Sequence, residues 1–177
     1  MVSKASEAVR LAEDLRKISA DTGLADQDLN ALVSDEHERY EFYTKAFVLA
    51  PPPDDRTLLS LVLRDPDRAM GEAAAVEFIN RQARQHASYQ SFVSWAVTVS
   101  DIIQDRDFLV RRIQEWSEFK SVIEGARLSP DSLEHFSDWL QRKLSDEAGS
   151  QEVLATLAEF GRTKRIRNTA KQRLKTI

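Results

Sequence analysis

Residues 59–79 read LSLVLRDPDRAMGEAAAVEFI and carry the clearest structural signal in this 177-residue chain. A short apolar run ends at Asp65-Pro66, and the residues after it repeat apolar side chains at the three- and four-residue steps of a helix. Asp is a favoured helix cap and Pro is tolerated at the first helical position, so we expect the second helix to begin at Pro66. The stretch therefore predicts a helix, a short turn and another helix.

Similar helix start and stop signals recur along the chain. It has only five glycines and five prolines, too few for a fold built from tight β-hairpins. We expect Gly23 and Gly125 to end helices and Asp105 to cap one. One helix is expected to run from Ser129-Pro130 to Gly149. Further helix boundaries are expected at Ser150 and Gly161. The chain is thus predicted to be all-α, with about nine helices in antiparallel pairs.

Three consecutive prolines, Pro51 to Pro53, mark the strongest internal boundary, because each lacks a backbone donor and disfavours helix in the residue before it. We expect residues 1–50 to form an N-terminal helical hairpin, in which the segment after Gly23 is one helix or two. Residues 51–177 would form a helical-repeat-like body that ends in a basic terminal helix. A hairpin of 50 residues alone buries too little apolar surface for a stable core. We therefore expect it to pack on the rest of the chain as one compact domain.

A shift of the sequence by 40 residues places Leu59–Ile79 over Val99–Phe119, and each stretch reads as a short apolar helix, a turn with two Asp residues and a second amphipathic helix. The stretch from Asp65 to Ala75 resembles the turn and second helix of a HEAT repeat. Val110-Arg111 and Ile166-Arg167 are similar to the hydrophobic-Arg step that opens this helix. The resemblance implies a HEAT-like stack of helix pairs, and the period fits such arrays. The alternative architecture is an irregular helical bundle.

The composition and the missing motifs exclude several classes of chemistry. No cysteine is present, so disulfides, thiol nucleophiles and Cys-ligated metals are excluded. The sequence has no Gly-x-Ser-x-Gly elbow, no Gly-x-x-x-x-Gly-Lys-Ser/Thr phosphate loop and no Gly-x-Gly-x-x-Gly motif, and we expect no cofactor. No apolar run reaches the ~18 residues of a membrane span. The first ten residues lack the apolar stretch of a secretion signal, so we expect a cytoplasmic protein.

The formal net charge of -4 hides a basic segment at the C-terminal end of the sequence. Residues 161–177 contain seven cations and no acid, whereas the rest of the chain is net acidic. Such a segment can contact phosphate, an acidic membrane surface, an acidic partner or the protein's own acidic surface. The candidate phosphate- or partner-binding residues are Arg162, Lys164, Arg165, Arg167, Lys171, Arg173 and Lys175.

His37 and Glu41 are one helical turn apart and could offer two metal ligands from one helix face. A closed zinc site needs four ligands, and one face supplies too few. We therefore interpret this stretch as the solvated acidic start of a helix, where the positive end of the helix dipole stabilises carboxylates.

A second acidic cluster lies between two tryptophans in the sequence. Its members are Asp101, Asp105 and Asp107, flanked by Trp95 and Trp116. This combination of residues is similar to that of HEAT-like DNA glycosylases, in which an Asp and Trp residues line a cleft. The resemblance implies a cleft for a damaged nucleotide. The alternative, which we favour, places Asp105 as a helix cap and the rings in the core.

These observations favour a non-enzymatic α-helical interaction module that binds a protein partner. The first alternative is a nucleic-acid-binding protein that uses the basic C-terminal helix 162–175. The remaining alternative is a HEAT-like DNA glycosylase or a metal-dependent enzyme. Narrow apolar stripes on single helices leave surface for a second copy, so we also expect a homodimer.

Overall fold

The protein is described by a computed structural model that covers residues 4–24, 28–50 and 55–177. Over these residues the chain is all-α, with eleven helices and no strand. The helices are α1 (Lys4–Thr22), α2 (Leu29–Ser34), α3 (Glu36–Leu49), α4 (Asp55–Val62), α5 (Arg68–Gln85), α6 (Tyr89–Ile103), α7 (Asp107–Ile123), α8 (Pro130–His135), α9 (Asp138–Glu147), α10 (Gln151–Phe160) and α11 (Lys164–Arg173). A membrane-crossing helix would need a longer apolar stretch than any of these eleven helices offers.

The described residues divide into two compact units. The first unit takes in the described part of Met1–Arg84 together with Val97–Val110. The second takes in Gln85–Ala96 together with Arg111–Ile177.

In the first unit, α1 packs against α2, α3 and α4. Phe47 of α3 stacks on Phe78 of α5, with ring centroids 4.3 Å apart, and this contact holds α3 beside α5. The largest fully buried side chains of the unit are Leu15, Ile18, Leu32, Phe42, Tyr43, Leu59, Phe78, Ile79 and Leu109. Burial of these apolar surfaces is the main source of stability for the unit.

A buried polar cluster lies inside the first unit. Asp65, whose side chain is fully buried, accepts hydrogen bonds from Arg39 Nε at 3.0 Å and from the Tyr43 hydroxyl at 2.8 Å. Arg39 Nη1 donates to the carbonyl oxygens of Leu32 at 3.0 Å and Val33 at 3.2 Å. Burial and the neighbouring Asp65 carboxylate raise the pKa of Tyr43, so its hydroxyl remains a donor at neutral pH.

Helix α5 begins at Arg68, two residues later than the start predicted at Pro66. Asp65 is drawn into the buried cluster, and its Oδ1 accepts the N–H of Asp67 at 2.8 Å. Asp67 then acts as the cap, because its carboxylate accepts the N–H of Met70 at 3.0 Å. The residue that caps α5 is therefore the second Asp of the turn rather than the first.

In the second unit, α11 packs against α9 and α10, and α10 also contacts α8. The rings of Trp116 and Trp139 meet edge to face, with centroids 5.4 Å apart. Buried residues of this unit include Phe92, Leu133, Leu140, Leu144, Leu154, Leu157, Ile166 and Ala170. The last two residues belong to α11, so the basic helix is part of the core of its unit.

The single helix predicted from Pro130 to Gly149 is wrong, because α8 ends at His135 and α9 begins at Asp138. Ser137 caps α9 by accepting the N–H of Leu140 at 3.2 Å. Gln141 is 1% exposed, and its Nε2 donates to the carbonyl oxygens of Leu133 and Phe136, so these two carbonyls at the break have a side-chain partner.

The cap predicted at Asp105 is also wrong. Helix α7 begins at Asp107, and the N–H groups of Leu109 and Val110 donate to the carbonyl oxygen of Arg106 at 2.9 and 3.0 Å. Arg106 therefore holds the cap position.

Other helix boundaries agree with the sequence signals. Gly23 and Gly125 follow α1 and α7 with φ of 73° and 108°, a conformation that favours glycine. The hydroxyl of Ser150 caps α10, and Gly161 follows that helix at its C-terminal end. The segment after Gly23 forms two helices, because Asp35 ends α2 and caps α3. The break predicted at Pro51 to Pro53 lies outside the described residues.

Candidate functional site

A groove runs between α3 and α5 in the first unit and encloses about 530 Å³. Helix α3 contributes Glu36, His37, Tyr40 and Glu41. The start of α5 contributes Asp67, Ala69, Met70 and Ala73. We call this surface the α3–α5 groove. The positions follow one face of each helix, since they recur at one- and four-residue steps.

The floor of the α3–α5 groove is apolar. Tyr40 is 37% exposed, Met70 is half-buried, and Ala69 and Ala73 are exposed. The two alanines have no bulk to fill the space, so the groove stays open beside the tyrosine ring. An apolar floor of this kind favours contact with a complementary apolar side chain.

The rim of the α3–α5 groove carries three carboxylates, from Glu36, Glu41 and Asp67. The N–H of Met70 donates to Asp67 and lowers the pKa of this carboxyl, so Asp67 is ionised at neutral pH. Glu41 pairs with Lys45 at 3.2 Å, but both side chains are more than half exposed, so this pair is weak and readily replaced. The groove therefore presents a negative rim around an apolar floor.

His37 projects from this rim into solvent, since its side chain is 90% exposed. Its Nδ1 lies 3.9 Å from Asp35 Oδ1 and 4.0 Å from Glu36 Oε1. In the part of the chain that the structure describes, no three His, Asp or Glu residues are placed to share a metal ion. Asp35 accepts the N–H groups of His37 and Glu38, in keeping with the acidic helix start that the sequence predicts.

The seven candidate cations of the C-terminal segment divide into two groups. Three arginines are tied to neighbouring residues of the second unit. Arg162 donates to the carbonyl oxygen of Glu134 at 3.0 Å and lies 3.3 Å from Asp138 Oδ1. Arg167 donates to the carbonyl oxygen of Gly161 at 2.6 Å, and Arg173 donates to that of Ser145 at 3.2 Å.

The other four cations are exposed, and their side chains form no hydrogen bond or ion pair with any described residue: Lys164, Arg165, Lys171 and Lys175. We call them the α11 cations. Lys164 and Lys171 recur at helical spacing on the side of α11 away from buried Ile166 and Ala170, and Lys175 lies in the turn that follows the helix. Of the seven bases, therefore, only Arg162 pairs with an acid among the described residues, and four side chains have no anionic partner there.

Asp101 and the two tryptophans each have contacts within their own unit. Asp101 forms a two-point ion pair with Arg56, at 2.7 and 2.6 Å, and this hydrogen bonding lowers the pKa of Asp101. Trp95 is 9% exposed and stacks on Phe92 at 5.6 Å. Trp116 is 3% exposed. Both rings thus belong to the packed interior, as in the alternative that we favoured from the sequence.

The α3–α5 groove was not predicted from the sequence. Its acidic residues match the solvated helix start that the sequence predicts, and Tyr40 shares α3 with Tyr43 and Phe47. The structure buries Tyr43 and Phe47 but leaves Tyr40 partly exposed. An exposed tyrosine between two glutamates at helical spacing is the signal that could have found the site.

Comparisons of the chain with protein-family models, with curated proteins and with solved structures gave no match. The two stretches related by the 40-residue shift fall on α4–α5 and on α6–α7. The HEAT-like resemblance, the homodimer and the cytoplasmic location stay predictions.

Proposed function

We propose that the chain is a non-catalytic α-helical binding module whose α3–α5 groove takes a cationic, amphipathic segment of a protein partner. The observation that carries this proposal is the pairing of an apolar floor with a rim of three carboxylates in one open groove of about 530 Å³. Helix-binding grooves in general combine an apolar trough with flanking charges that fix the orientation of the guest.

The chemistry of the groove defines the partner. One large apolar side chain of the guest would lie against Tyr40 and Met70, above the small Ala73. Lys or Arg side chains one turn away would meet Glu36, Glu41 and Asp67. Because these carboxylates are solvent-accessible, the charge contribution should weaken as salt rises, while the apolar contribution should persist.

The test uses a fluorescein-labelled helical peptide with Leu on one face and Lys on the other, followed by fluorescence anisotropy. We expect Glu41→Lys to weaken binding at least about tenfold, the equivalent of about 1.4 kcal/mol. The matched control is Glu38→Lys, the same charge change at an exposed position of α3 outside the groove. Ala73→Trp should fill the groove and also weaken binding.

If Glu41→Lys and Glu38→Lys weaken peptide binding equally, only the net charge of the module matters. That result would refute the groove as the binding site. Tight binding of a peptide in which Glu replaces every Lys would refute the charge assignment.

A second candidate function is supported by the α11 cations, which could bind the phosphate backbone of a nucleic acid. Their exposed face carries no acid, so it attracts a polyanion although the chain as a whole is net negative. Four phosphate contacts would give a slope of about -3.6 for log affinity against log salt on duplex DNA.

The packing of α11 dictates how this second candidate is tested. Deleting residues 162–177 would expose the partners of buried Ile166 and Ala170, so loss of binding by the truncated chain would be ambiguous. Replacing all four α11 cations by Gln keeps the helix and removes the charge. Four Gln substitutions at exposed cations outside α11 are the control: Arg10, Arg16, Arg111 and Arg142. DNA binding that survives the α11 substitutions would eliminate this function.

A further inference from the structure

A second cleft lies in the first unit, between α1 and α4, and encloses about 270 Å³. Its polar lining consists of Lys17, Arg56, Thr57, Ser60 and Arg64, and we call it the cationic cleft. Three of these side chains are cations and two carry hydroxyls, so every one of them can donate a hydrogen bond. Among the described residues no carboxylate lines the cleft, in contrast to the α3–α5 groove, which has three.

Two cations of the cationic cleft, Arg56 and Arg64, are oriented by ion pairs with residues outside its lining. Arg56 makes its two-point ion pair with Asp101 and also donates to the carbonyl oxygen of Thr98. Arg64 pairs with Asp14, whose side chain is only 12% exposed. Each guanidinium has five N–H donors in a fixed fork, so these pairs orient the group and still leave donors unused.

The other three donors have no partner among the described residues. The hydroxyls of Thr57 and Ser60 and the Nζ of Lys17 form no hydrogen bond there. Serine and threonine within helices commonly bond back to the carbonyl four residues earlier. In this chain Thr22, Ser34, Ser117 and Thr156 do so. Thr57 and Ser60, one turn apart on α4, instead leave their hydroxyls available to the cleft.

We propose that the cationic cleft binds the phosphate group of a small solute. A phosphate has several acceptor oxygens and no need of a donor, which matches a lining of five donor side chains. Asp14 and Asp101 balance the charges of Arg64 and Arg56, so the net positive charge comes from Lys17. The volume accommodates a phosphate with a few further atoms, and the apolar lining residues Leu61 and Ile102 suit the carbon skeleton of a phosphate ester.

The test is a titration of the full chain with inorganic phosphate and with glycerol phosphate, followed by the backbone amide signals of α1 and α4 in NMR spectra. We expect saturable shifts around Lys17, Thr57 and Ser60 with both probes. Lys17→Glu should weaken binding about tenfold, and Ser60→Ala about threefold, as for the loss of one hydrogen bond. Arg16→Glu is the matched control, because Arg16 is exposed, adjacent to Lys17 and outside the cleft. It should change affinity less than about twofold.

Absence of saturable shifts with either probe would overturn the proposal. So would equal weakening by Arg16→Glu and Lys17→Glu, because the binding would then reflect diffuse charge. Saturation by a phosphoserine peptide but by neither small probe would assign the cleft to a protein ligand and overturn the small-solute assignment. All substituted residues are exposed or half-buried, so circular dichroism should show an unchanged helix content.

Discussion

Arg39 and Asp65 form a buried ion pair, in which Arg39 Nε donates to Asp65 Oδ2 at 3.0 Å. The two side chains are 8% and 0% exposed, so neither charge is solvated by bulk water. The pair joins α3 to the turn that precedes α5, and α3 and the start of α5 form the two walls of the α3–α5 groove. We therefore expect the spacing of the two walls to depend on this buried pair.

Asp65→Asn should destabilise the protein by about 3–5 kcal/mol, because it leaves the Arg39 guanidinium buried without a counter-charge. Urea unfolding followed by circular dichroism measures this loss. The control is Glu77→Gln, which breaks an ion pair with Arg84 between side chains that are 50% and 58% exposed. This control substitution should lower the free energy of unfolding by less than about 1 kcal/mol. Equal losses for the two variants would show that the buried pair has no special role.

Gly71→Ala should destabilise the protein by about 1–3 kcal/mol, because the added Cβ would lie 2.8 Å from the carbonyl oxygen of Val62. The end of α4 and the first turns of α5 would have to move apart. Gly149→Ala is the control, since a Cβ at Gly149 meets no atom within 4 Å. Thermal unfolding of both variants should show a lower Tm for Gly71→Ala alone, and an unchanged Tm there would contradict the close approach.

The stability of the protein should fall in acid partly because of Glu72, whose side chain is 18% exposed. Burial opposes ionisation of Glu72, but hydrogen bonds from Arg106 and Arg68 outweigh it and lower its pKa. Because this pKa is lower in the folded state, the contribution is present above the ordinary Glu pKa and is lost as pH falls through the folded-state value.

Glu72→Gln should therefore be less stable than the natural chain at pH 7, by about 1 kcal/mol, and the gap should narrow toward pH 3. Urea unfolding across this pH range measures the gap. A gap that is constant with pH would mean that the Arg68 and Arg106 contacts act through packing and not through charge.

Arg112 and Glu115 form a second enclosed pair, in the second unit. Arg112 Nε lies 3.4 Å from Glu115 Oε2, within ion-pair distance, but Nε and Nη1 of Arg112 are buried without a hydrogen bond. The guanidinium instead lies 4.0 Å from the ring centroid of Trp139. Its loss of hydration is thus only partly compensated.

The two residues should show strong coupling in a double-mutant cycle. Arg112→Met alone should cost about 3 kcal/mol, because it leaves the Glu115 carboxylate buried without a cation. The double variant, Arg112→Met with Glu115→Gln, should have a free energy of unfolding within about 1 kcal/mol of that of the natural chain. The exposed pair Arg127 and Glu152, 3.7 Å apart, provides a control cycle with coupling near zero. Additive losses at Arg112 and Glu115 would contradict this account.

The sequence predicted those parts of the fold that depend on local chemistry. Gly23 and Gly125 end helices because few other residues adopt their backbone angles, and Ser150 caps a helix with its own side chain. The break before Ser137 could not be predicted from periodicity, because Leu133 and Leu140 are buried on either side of it. Gln141 stabilises the break, because its amide donates to the carbonyl oxygens of Leu133 and Phe136.

The candidate sites depend on contacts between residues far apart in the sequence. The composition of the basic segment was visible, but nothing local showed that Arg173 is bound to the carbonyl of Ser145 while Lys171 is free. The α3–α5 groove likewise exists because the stacking of Phe47 on Phe78 brings two helices together. Periodicity identifies the faces of helices but does not tell which faces meet.

The central claim, that the α3–α5 groove holds a cationic amphipathic segment, is tested most directly by site-specific photo-crosslinking. A photoreactive phenylalanine derivative is placed either at His37, on the rim of the groove where the side chain is 90% exposed, or at Ala155, an exposed position of α10. The fluorescein-labelled Leu/Lys peptide should crosslink to the chain substituted at position 37 and not to the chain substituted at position 155. Equal crosslinking at both positions, or crosslinking at position 155 alone, would contradict the account.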